Sequence, residues 1–88
     1  MKIKFLGTAA AEGVPAMFCN CESCKNIRLI GGRELRTRTQ VLIDGELSID
    51  FPPEAYAHSL KYDFCLADLR YVFVTHSHMD HFYAHDFI

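Results

Sequence analysis

The sequence predicts a mixed α/β fold of the α+β type, built from short strands and short helices. Half of its 88 residues are hydrophobic and 23% are charged, which is ordinary for a folded globular chain. Runs rich in aromatic and β-branched residues alternate with segments of helical pattern. An Asp-Gly pair between two such runs predicts a β-hairpin. We therefore expect at most one small domain, spanning residues 1–88.

The first part of the chain is predicted to form a strand, a loop and a helix. Residues 2–6 alternate between polar and apolar side chains, as in a half-buried strand. Glycines and a proline in residues 7–15 predict a loop. A helix is expected over residues 22–30, and Gly31-Gly32 should end it because glycine readily adopts the left-handed conformation found at helix C-termini.

A hairpin and a second helix are predicted next. Residues 37–43 and 46–50 have strand character and flank Asp44-Gly45, a pair favoured in two-residue hairpin turns. Residues 53–60 then have helical character, and Pro53 suits the first turn of a helix.

The last part of the chain is predicted to form a buried strand and a final helix. Residues 71–75 are the strand, and Asp80 is placed to cap a helix that runs to Ile88. His58 has no partner in the pattern and is expected at the surface. Cys65 lies between two apolar residues and is expected to be a small buried hydrophobe.

The stretch after the last predicted strand carries three histidines and an aspartate within six residues: His76, His78, Asp80 and His81. Imidazole and carboxylate groups bind borderline divalent metals such as zinc. His76 and His78 alternate in an extended segment and can face one metal together, whereas Asp80 and His81 could serve a second metal. This H-x-H-x-D-H spacing is much more specific than a loop that is histidine-rich by chance.

A second candidate metal site lies near the N-terminus. Cys19, Cys21 and Cys24 follow the spacing C-x-C-x-x-C, which brings three thiols within reach of one ion. Three thiolates make most of a tetrahedral zinc site, which needs a fourth ligand. The uneven spacing of the four cysteines fits metal binding better than a disulfide framework. Reduced or reactive thiols are the alternative interpretation.

Charge and hydropathy limit the classes of partner. The net charge of −2 does not favour nucleic acid or a membrane. No apolar run approaches the roughly 18 residues of a membrane span, so we expect a cytoplasmic protein. One stretch is nevertheless basic, and it could meet a phosphate-bearing substrate or form a solvated surface. Its residues are Lys25, Arg28, Arg33, Arg36 and Arg38.

The histidine-rich stretch resembles the H-x-H-x-D-H signature of the metallo-β-lactamase superfamily. The resemblance implies an αββα sandwich with a dinuclear metal site, and this chain would be its N-terminal part. It implies that His76 and His78 bind the first metal and that Asp80 and His81 bind the second. Asp80 would also be catalytic, because it would orient the nucleophile. The superfamily supplies further ligands later in its chains, so we expect an N-terminal fragment of a longer protein. We expect the longer protein to be the enzyme and the fragment alone to be incomplete and inactive.

The cysteine cluster resembles that of one superfamily branch, the phosphoribosyl cyclic phosphodiesterases, which implies a structural zinc at Cys19, Cys21 and Cys24. A late histidine completes that zinc site in the branch. Gly7-Thr8 opens a loop that resembles the branch's G-T-G-x-x-x-G-x-P loop, with Ala9 in place of the second glycine. This implies substrate binding by Gly7 and Thr8, and a plain turn is the alternative.

Asp50, in Ile49-Asp50-Phe51-Pro52, resembles an aspartate that supports the metal site in the superfamily. Such a carboxylate accepts the remaining N–H of a ligand histidine and so orients it. Pro52 stands where the superfamily usually has glycine. A simple polar residue at a strand end is the alternative interpretation of Asp50.

Taken together, the resemblance implies a metal-dependent hydrolase that uses a metal-activated water, with small phosphodiesters as substrates. Its cofactors would be two active-site ions, zinc or else manganese or iron, and an additional structural zinc. A non-catalytic metal-binding fragment and a nuclease of the tRNA 3′-processing type are the alternatives. A fragment with uncovered core surface could also self-associate or form a homodimer.

Overall fold

The computed structural model describes residues 1–87, which form a four-stranded sheet with helices beside it. The strands are β1 (Ile3–Gly7), β2 (Gln40–Ile43), β3 (Leu47–Ile49) and β4 (Tyr71–Phe73), and the α-helices are α1 (Glu22–Ile30) and α2 (Ala55–Lys61). Short 3₁₀ helices lie at Gly32–Glu34, Leu66–Asp68 and Ala84–Phe87. The predicted α+β class is confirmed. None of the helices in residues 1–87 is long and apolar enough to cross a membrane.

The direction of the strands brings several loops to one end of the sheet, where the strands terminate. The strand order is β1-β2-β3-β4, with the first two pairs antiparallel and the last pair parallel. Strands β1, β3 and β4 therefore run in the same direction, and their carboxyl ends lie at the same end of the sheet. Thr8, Asp50 and the segment that leads to His76 all leave the sheet there, so the topology gathers the predicted site residues.

The hairpin between β2 and β3 lies where the sequence predicts it. Asp44 and Gly45 have φ values of 54° and 72°, and the Glu46 amide donates to the Ile43 carbonyl at 3.1 Å. Positive φ at both central residues is the type I′ turn that Asp-Gly favours. Strand β2 begins later than predicted because Thr37 pairs instead with the loop after β1, accepting from two of its amides at 2.8 and 3.0 Å.

The two faces of the sheet differ in their surroundings. Leu42 and Ser48 are buried on the face that packs against α2. The opposite face is apolar across all four strands, and we call it the open apolar face. Its residues are Ile3, Phe5, Val41, Ile43, Leu47, Ile49, Tyr71 and Phe73, paired directly across the sheet. Phe5 is 67% exposed and Phe73 is 66% exposed, so this face meets solvent within the described residues.

The predicted final helix is wrong. Asp80 lies in a turn, and the chain then runs extended beside Phe51. The Phe51 amide donates to the His81 carbonyl at 2.7 Å, and the Tyr83 amide donates to the Phe51 carbonyl at 2.7 Å. The His81 carbonyl and the Tyr83 amide, which a helix would pair within itself, thus form hydrogen bonds with Phe51. Only the 3₁₀ turn at Ala84–Phe87 follows, and Ile88 lies outside the described residues.

Two further predictions about single residues are wrong. His58 is 2% exposed, because it faces the sheet from α2 and hydrogen-bonds to Gln40. Cys65 is exposed, because the segment Leu66–Asp68 forms a surface 3₁₀ turn rather than a buried apolar run. Neither position could be placed without knowing which side of its element meets the sheet.

Candidate metal centre

Asp50 is the buried anchor of the histidine-rich stretch. It follows β3, is 1% exposed, and has a left-handed backbone with φ 64°. Aspartate visits this conformation more readily than most residues. Its carboxylate accepts hydrogen bonds from the Thr75 amide at 2.8 Å and the Thr75 hydroxyl at 2.9 Å, and Oδ2 lies 2.7 Å from His81 Nδ1. One side chain thus holds both ends of the stretch.

The charge of Asp50 decides which nitrogen of His81 donates to it. Burial disfavours charge on Asp50, but hydrogen bonds from the Thr75 amide, His81 and the Thr75 hydroxyl hold the pKa of Asp50 below its usual value. The carboxylate is therefore ionised at neutral pH and acts only as an acceptor. His81 therefore carries a proton on Nδ1, and Nε2 is the nitrogen that can meet a second partner.

His81 Nε2 and Asp80 form a pair that fits a metal ion. Nε2 lies 3.1 Å from Asp80 Oδ2, and the Asp80 side chain is only 12% exposed. With Nδ1 committed to Asp50, two acceptors would face each other unless a proton or a cation lies between them. Two ligands that are each about 2.1 Å from one zinc ion lie about 3.0–3.4 Å apart. The donor set and its spacing therefore fit a divalent cation.

His76 and His78 lie next to this pair but are exposed. Their ring centroids are 4.8 Å apart, and the His76 ring is 3.9 Å from the ring of His81. Because β4 ends at Phe73, both histidines lie on an irregular segment and not in strand alternation. The fold nevertheless gathers the three imidazoles. These donors do not form one compact triad, since in residues 1–87 only the cysteines bring three ligand atoms within 4.8 Å of one another.

The three cysteines form a compact group at the start of α1. The sulfurs of Cys19, Cys21 and Cys24 lie within 4.8 Å of one another, and a soft metal ion could bind there. Hydrogen bonds from the Cys24 backbone and from the Cys19 and Cys24 side chains lower the pKa of Cys21 to about 7. The Ala16 backbone favours the Cys24 thiolate, but the Cys19 side chain and burial raise the pKa of Cys24. Within the cluster, the Cys21 thiol therefore loses its proton more readily than the Cys24 thiol.

Gly7 and Thr8 lie at the end of β1, and the structure gives each a local role. A Cβ at residue 7 would lie 1.9 Å from the Arg38 carbonyl oxygen, so glycine is required by close backbone packing. Thr8 accepts hydrogen bonds from Arg36, at 3.0 Å on its hydroxyl and 2.8 Å on its carbonyl. Substrate binding by Gly7 and Thr8 stays a prediction.

Arg38, a member of the basic stretch, lies near the metal centre, which the sequence did not predict. Its guanidinium contacts Glu54 at 2.8 Å, and hydrogen bonds to Glu54 raise the pKa of Arg38, with the charge of Asp80 adding to the effect. A permanent cation therefore lies near the Asp80 carboxylate. The basic stretch contained the signal, but Glu54 is 16 residues away and only the fold pairs the two.

A buried chain of hydrogen bonds runs from α2 to Asp50. His58 Nδ1 donates to Gln40 Oε1 at 2.7 Å, Gln40 Nε2 donates to Ser48 Oγ at 2.9 Å, and Ser48 Oγ donates to the Asp50 carbonyl at 2.7 Å. His58 Nε2 accepts from the Thr37 hydroxyl at 2.6 Å. We call these connections the buried relay. It fixes the backbone of Asp50 from behind, and its polar residues were predicted only as ordinary strand and helix positions.

Comparison with known proteins places these features in context. A solved structure described as a new diphosphatase from the PhnP family superposes with a TM-score of 0.74 at 26% identity, over 96% of this chain and 32% of that one. The resemblance to the metallo-β-lactamase superfamily is confirmed. Coenzyme PQQ synthesis protein B of Bradyrhizobium diazoefficiens, also similar to this superfamily, is 39% identical over 46 residues. That match covers 52% of this chain and 15% of the relative.

The metallo-β-lactamase likeness covers only part of each relative. The chain spans about a third of the PhnP-family structure and a smaller share of the PQQ synthesis protein. No family profile matches the chain. Superfamily members are generally metal-dependent, which agrees with the two groups of donors described above.

Proposed function

We propose that this chain is part of a metal-dependent hydrolase that cleaves small phosphodiesters with a metal-activated water. The observation that carries the proposal is the Asp50–His81–Asp80 arrangement, in which a buried carboxylate orients an imidazole whose free nitrogen lies 3.1 Å from a second carboxylate. Similarity to a PhnP-family diphosphatase supports hydrolysis at phosphorus in preference to other superfamily reactions.

The residues of the chain have separate tasks in this proposal. His76 and His78 would bind one ion, and Asp80 with His81 would bind the other. Bound divalent metal would supply Lewis acidity and lower the pKa of a water to near neutrality. Asp80 would orient that water, and Asp50 would keep His81 in the binding tautomer.

A cavity of about 600 Å³ beside the histidine-rich stretch supports the binding of an organic ester. It lies between the loop that carries Met17 and Phe18 and the side chain of Met79, and Arg38 contributes its only side chain with a permanent positive charge among the described residues. Glu12 also lines the cavity, so its wall combines apolar side chains with one cation and one carboxylate. The apolar part suits the organic leaving group of an ester. Gly7 and Thr8 would add substrate contacts at the same end of the sheet, where β1, β3 and β4 terminate.

Hydrolysis of an aryl phosphodiester tests the proposal. A longer protein that contains this chain together with the later ligands of the superfamily should hydrolyse bis(p-nitrophenyl) phosphate in the presence of Zn²⁺ or Mn²⁺, whereas the 88-residue chain alone should not. In the longer protein, Asp80→Ala should lower the rate by about 10²-fold or more because it removes a ligand and an orienting group. Asp86→Ala changes an exposed aspartate outside the metal centre and is the matched control. Activity that Asp80→Ala leaves unchanged would sink the mechanism.

A non-catalytic metal-binding role is the second candidate. The exposure of His76 and His78 favours it, because the described residues do not enclose these two imidazoles and a metal bound there would stay in contact with solvent. Metal binding without turnover of the ester, by the longer protein when its circular dichroism shows it to be folded, would support this candidate and exclude the hydrolase. A structural zinc at Cys19, Cys21 and Cys24 is part of both candidates.

A further inference from the structure

A second cavity, of about 660 Å³, is lined by residues that lie outside the histidine-rich stretch. It is bounded by the end of β1, the 3₁₀ turn that follows α1 and the end of α2. None of the candidate metal ligands lines this cavity, although Gly7 and Thr8 do.

The charged side chains that line the second cavity are all positive. Arg33, Arg36 and Lys61 line it, and none of its described lining residues is acidic. The chain as a whole carries a net charge of −2, so this local excess of cations is not a consequence of composition. Cations collected in a concave surface raise the local potential and attract anions.

Arg36 is held in place and still has donors to offer. It spends two N–H groups on Thr8, and a guanidinium has five. Three donors remain within the described structure, in a fixed planar arrangement that matches the oxygens of a phosphate. Arg33 forms no hydrogen bond or ion pair with any residue from 1 to 87, so its guanidinium can also turn to a ligand.

An aromatic platform completes the cavity. The Tyr62 ring lies under the ammonium groups of Lys4 and Lys61, each 5.3 Å from the ring centroid. Lys4 also donates to the Tyr62 carbonyl at 3.4 Å. These contacts hold two flexible lysines near the cavity and reduce the entropy that an anion would otherwise lose in ordering them.

From this arrangement we infer that the second cavity binds a phosphate-bearing small molecule, with Arg33, Arg36 and Lys61 as its charged ligands. None of these three residues is a candidate metal ligand, so the inference does not need the metal centre. The cavity does share Gly7 and Thr8 with the substrate contacts proposed for the hydrolase. Phosphate groups suit the site better than carboxylates, since three separate cations can each meet a different oxygen of one tetrahedral group.

Calorimetric titration with inorganic pyrophosphate, in EDTA and at low ionic strength, tests the inference. EDTA removes metal, so binding at the metal centre is separated from binding at the cavity. The chain should bind one pyrophosphate, and Arg33→Gln or Lys61→Gln should weaken that binding by about tenfold or more. Arg70→Gln makes the same charge change beside the opposite edge strand and should have no effect.

Amide spectra supply a second measurement that needs no variant. Pyrophosphate should shift the backbone resonances of Gly7, Thr8 and Gly32, which line the cavity. Absence of binding, equal affinity in all four proteins, or shifts confined to His76–His81 would each overturn the inference. Asp80→Ala should retain pyrophosphate binding, so failure of the hydrolase proposal can be recognised separately.

Discussion

Asp50 Oδ2 lies 2.7 Å from His81 Nδ1, and the two residues are 31 positions apart in the chain. The contact joins the end of β3 to the end of the histidine-rich stretch. It sets the tautomer of His81 and therefore which of its nitrogens can meet a metal. The candidate metal centre consequently depends on a side chain that would never touch the metal.

Replacing Asp50 by Asn should weaken metal binding at His81 by about 10–100-fold. Asparagine tolerates the left-handed backbone and retains the shape, but it loses the charge that polarises the imidazole. Titration with Co²⁺, followed by its visible absorption, measures the affinity. Asp68→Asn, at an exposed 3₁₀ turn, is the control and should not change it. Equal affinity in the two variants would show that Asp50 has no such influence.

Ser48→Ala should interrupt the buried relay and lower the free energy of unfolding by about 1–3 kcal/mol. The change leaves Gln40 Nε2 and the Asp50 carbonyl without the partners that they have in the native fold. Urea denaturation measures the loss. Ser77→Ala changes an exposed serine and should be close to neutral. If Ser48→Ala is also neutral, the relay does not stabilise the fold.

Stability should fall as the pH decreases below about 6.5, and His58 should contribute to the fall. Burial lowers the pKa of His58, Glu54 opposes this effect, and Lys61 adds to it. Between the lowered folded pKa and the ordinary unfolded pKa, only the unfolded chain binds the proton, so stability rises with pH across that window and is complete above it.

His58→Gln removes that titration and should flatten the decrease in the urea midpoint between pH 7 and pH 5. The exposed His85→Gln is the matched control and should leave the pH profile unchanged. Parallel profiles for native protein and His58→Gln would contradict the assignment.

Zinc content should fall by one ion per chain when Cys19, Cys21 and Cys24 are all replaced by Ser. Serine hydroxyls stay protonated at neutral pH and are poor zinc ligands. Elemental analysis of purified protein gives the count, and Cys65→Ser, at an exposed cysteine outside the cluster, should leave it unchanged. An unchanged count in the triple variant would exclude the structural site.

The open apolar face should make the 88-residue chain self-associate in a concentration-dependent way. Phe5→Lys together with Phe73→Lys places two charges on that face and should shift the sedimentation velocity towards the monomer. Phe18→Lys changes a phenylalanine that is 96% exposed but lies off the sheet. If both changes have the same effect, or if native protein stays monomeric, the face does not drive association.

Local patterns predicted most of the fold. The Asp44-Gly45 turn, α1 with its end at Gly31, and the apolar strands depend on backbone preferences within a few residues. The metal-binding group of cysteines was also predictable from local spacing, because its three members lie within six residues of one another: Cys19, Cys21 and Cys24. These features could be predicted because their partners are nearby in the chain.

The remaining features depend on contacts between distant segments. Asp80 resembled a helix cap, but pairing of His81 and Tyr83 with Phe51 outweighed the helical preference of the residues after it. His58 resembled a surface residue, and its partner Gln40 lies 18 positions away. Side-chain pairing across the sheet decides such positions, and a single sequence does not record it.

The left-handed backbone of Asp50 limits which amino acids evolution could place there. Glutamate would preserve the negative charge but adopts positive φ poorly, and its longer side chain would displace the carboxylate from His81. Asparagine or glycine would relieve the backbone but remove the charge. Aspartate is the residue that satisfies both requirements, so a homologue with a different residue at this position should also lack a usable histidine at position 81.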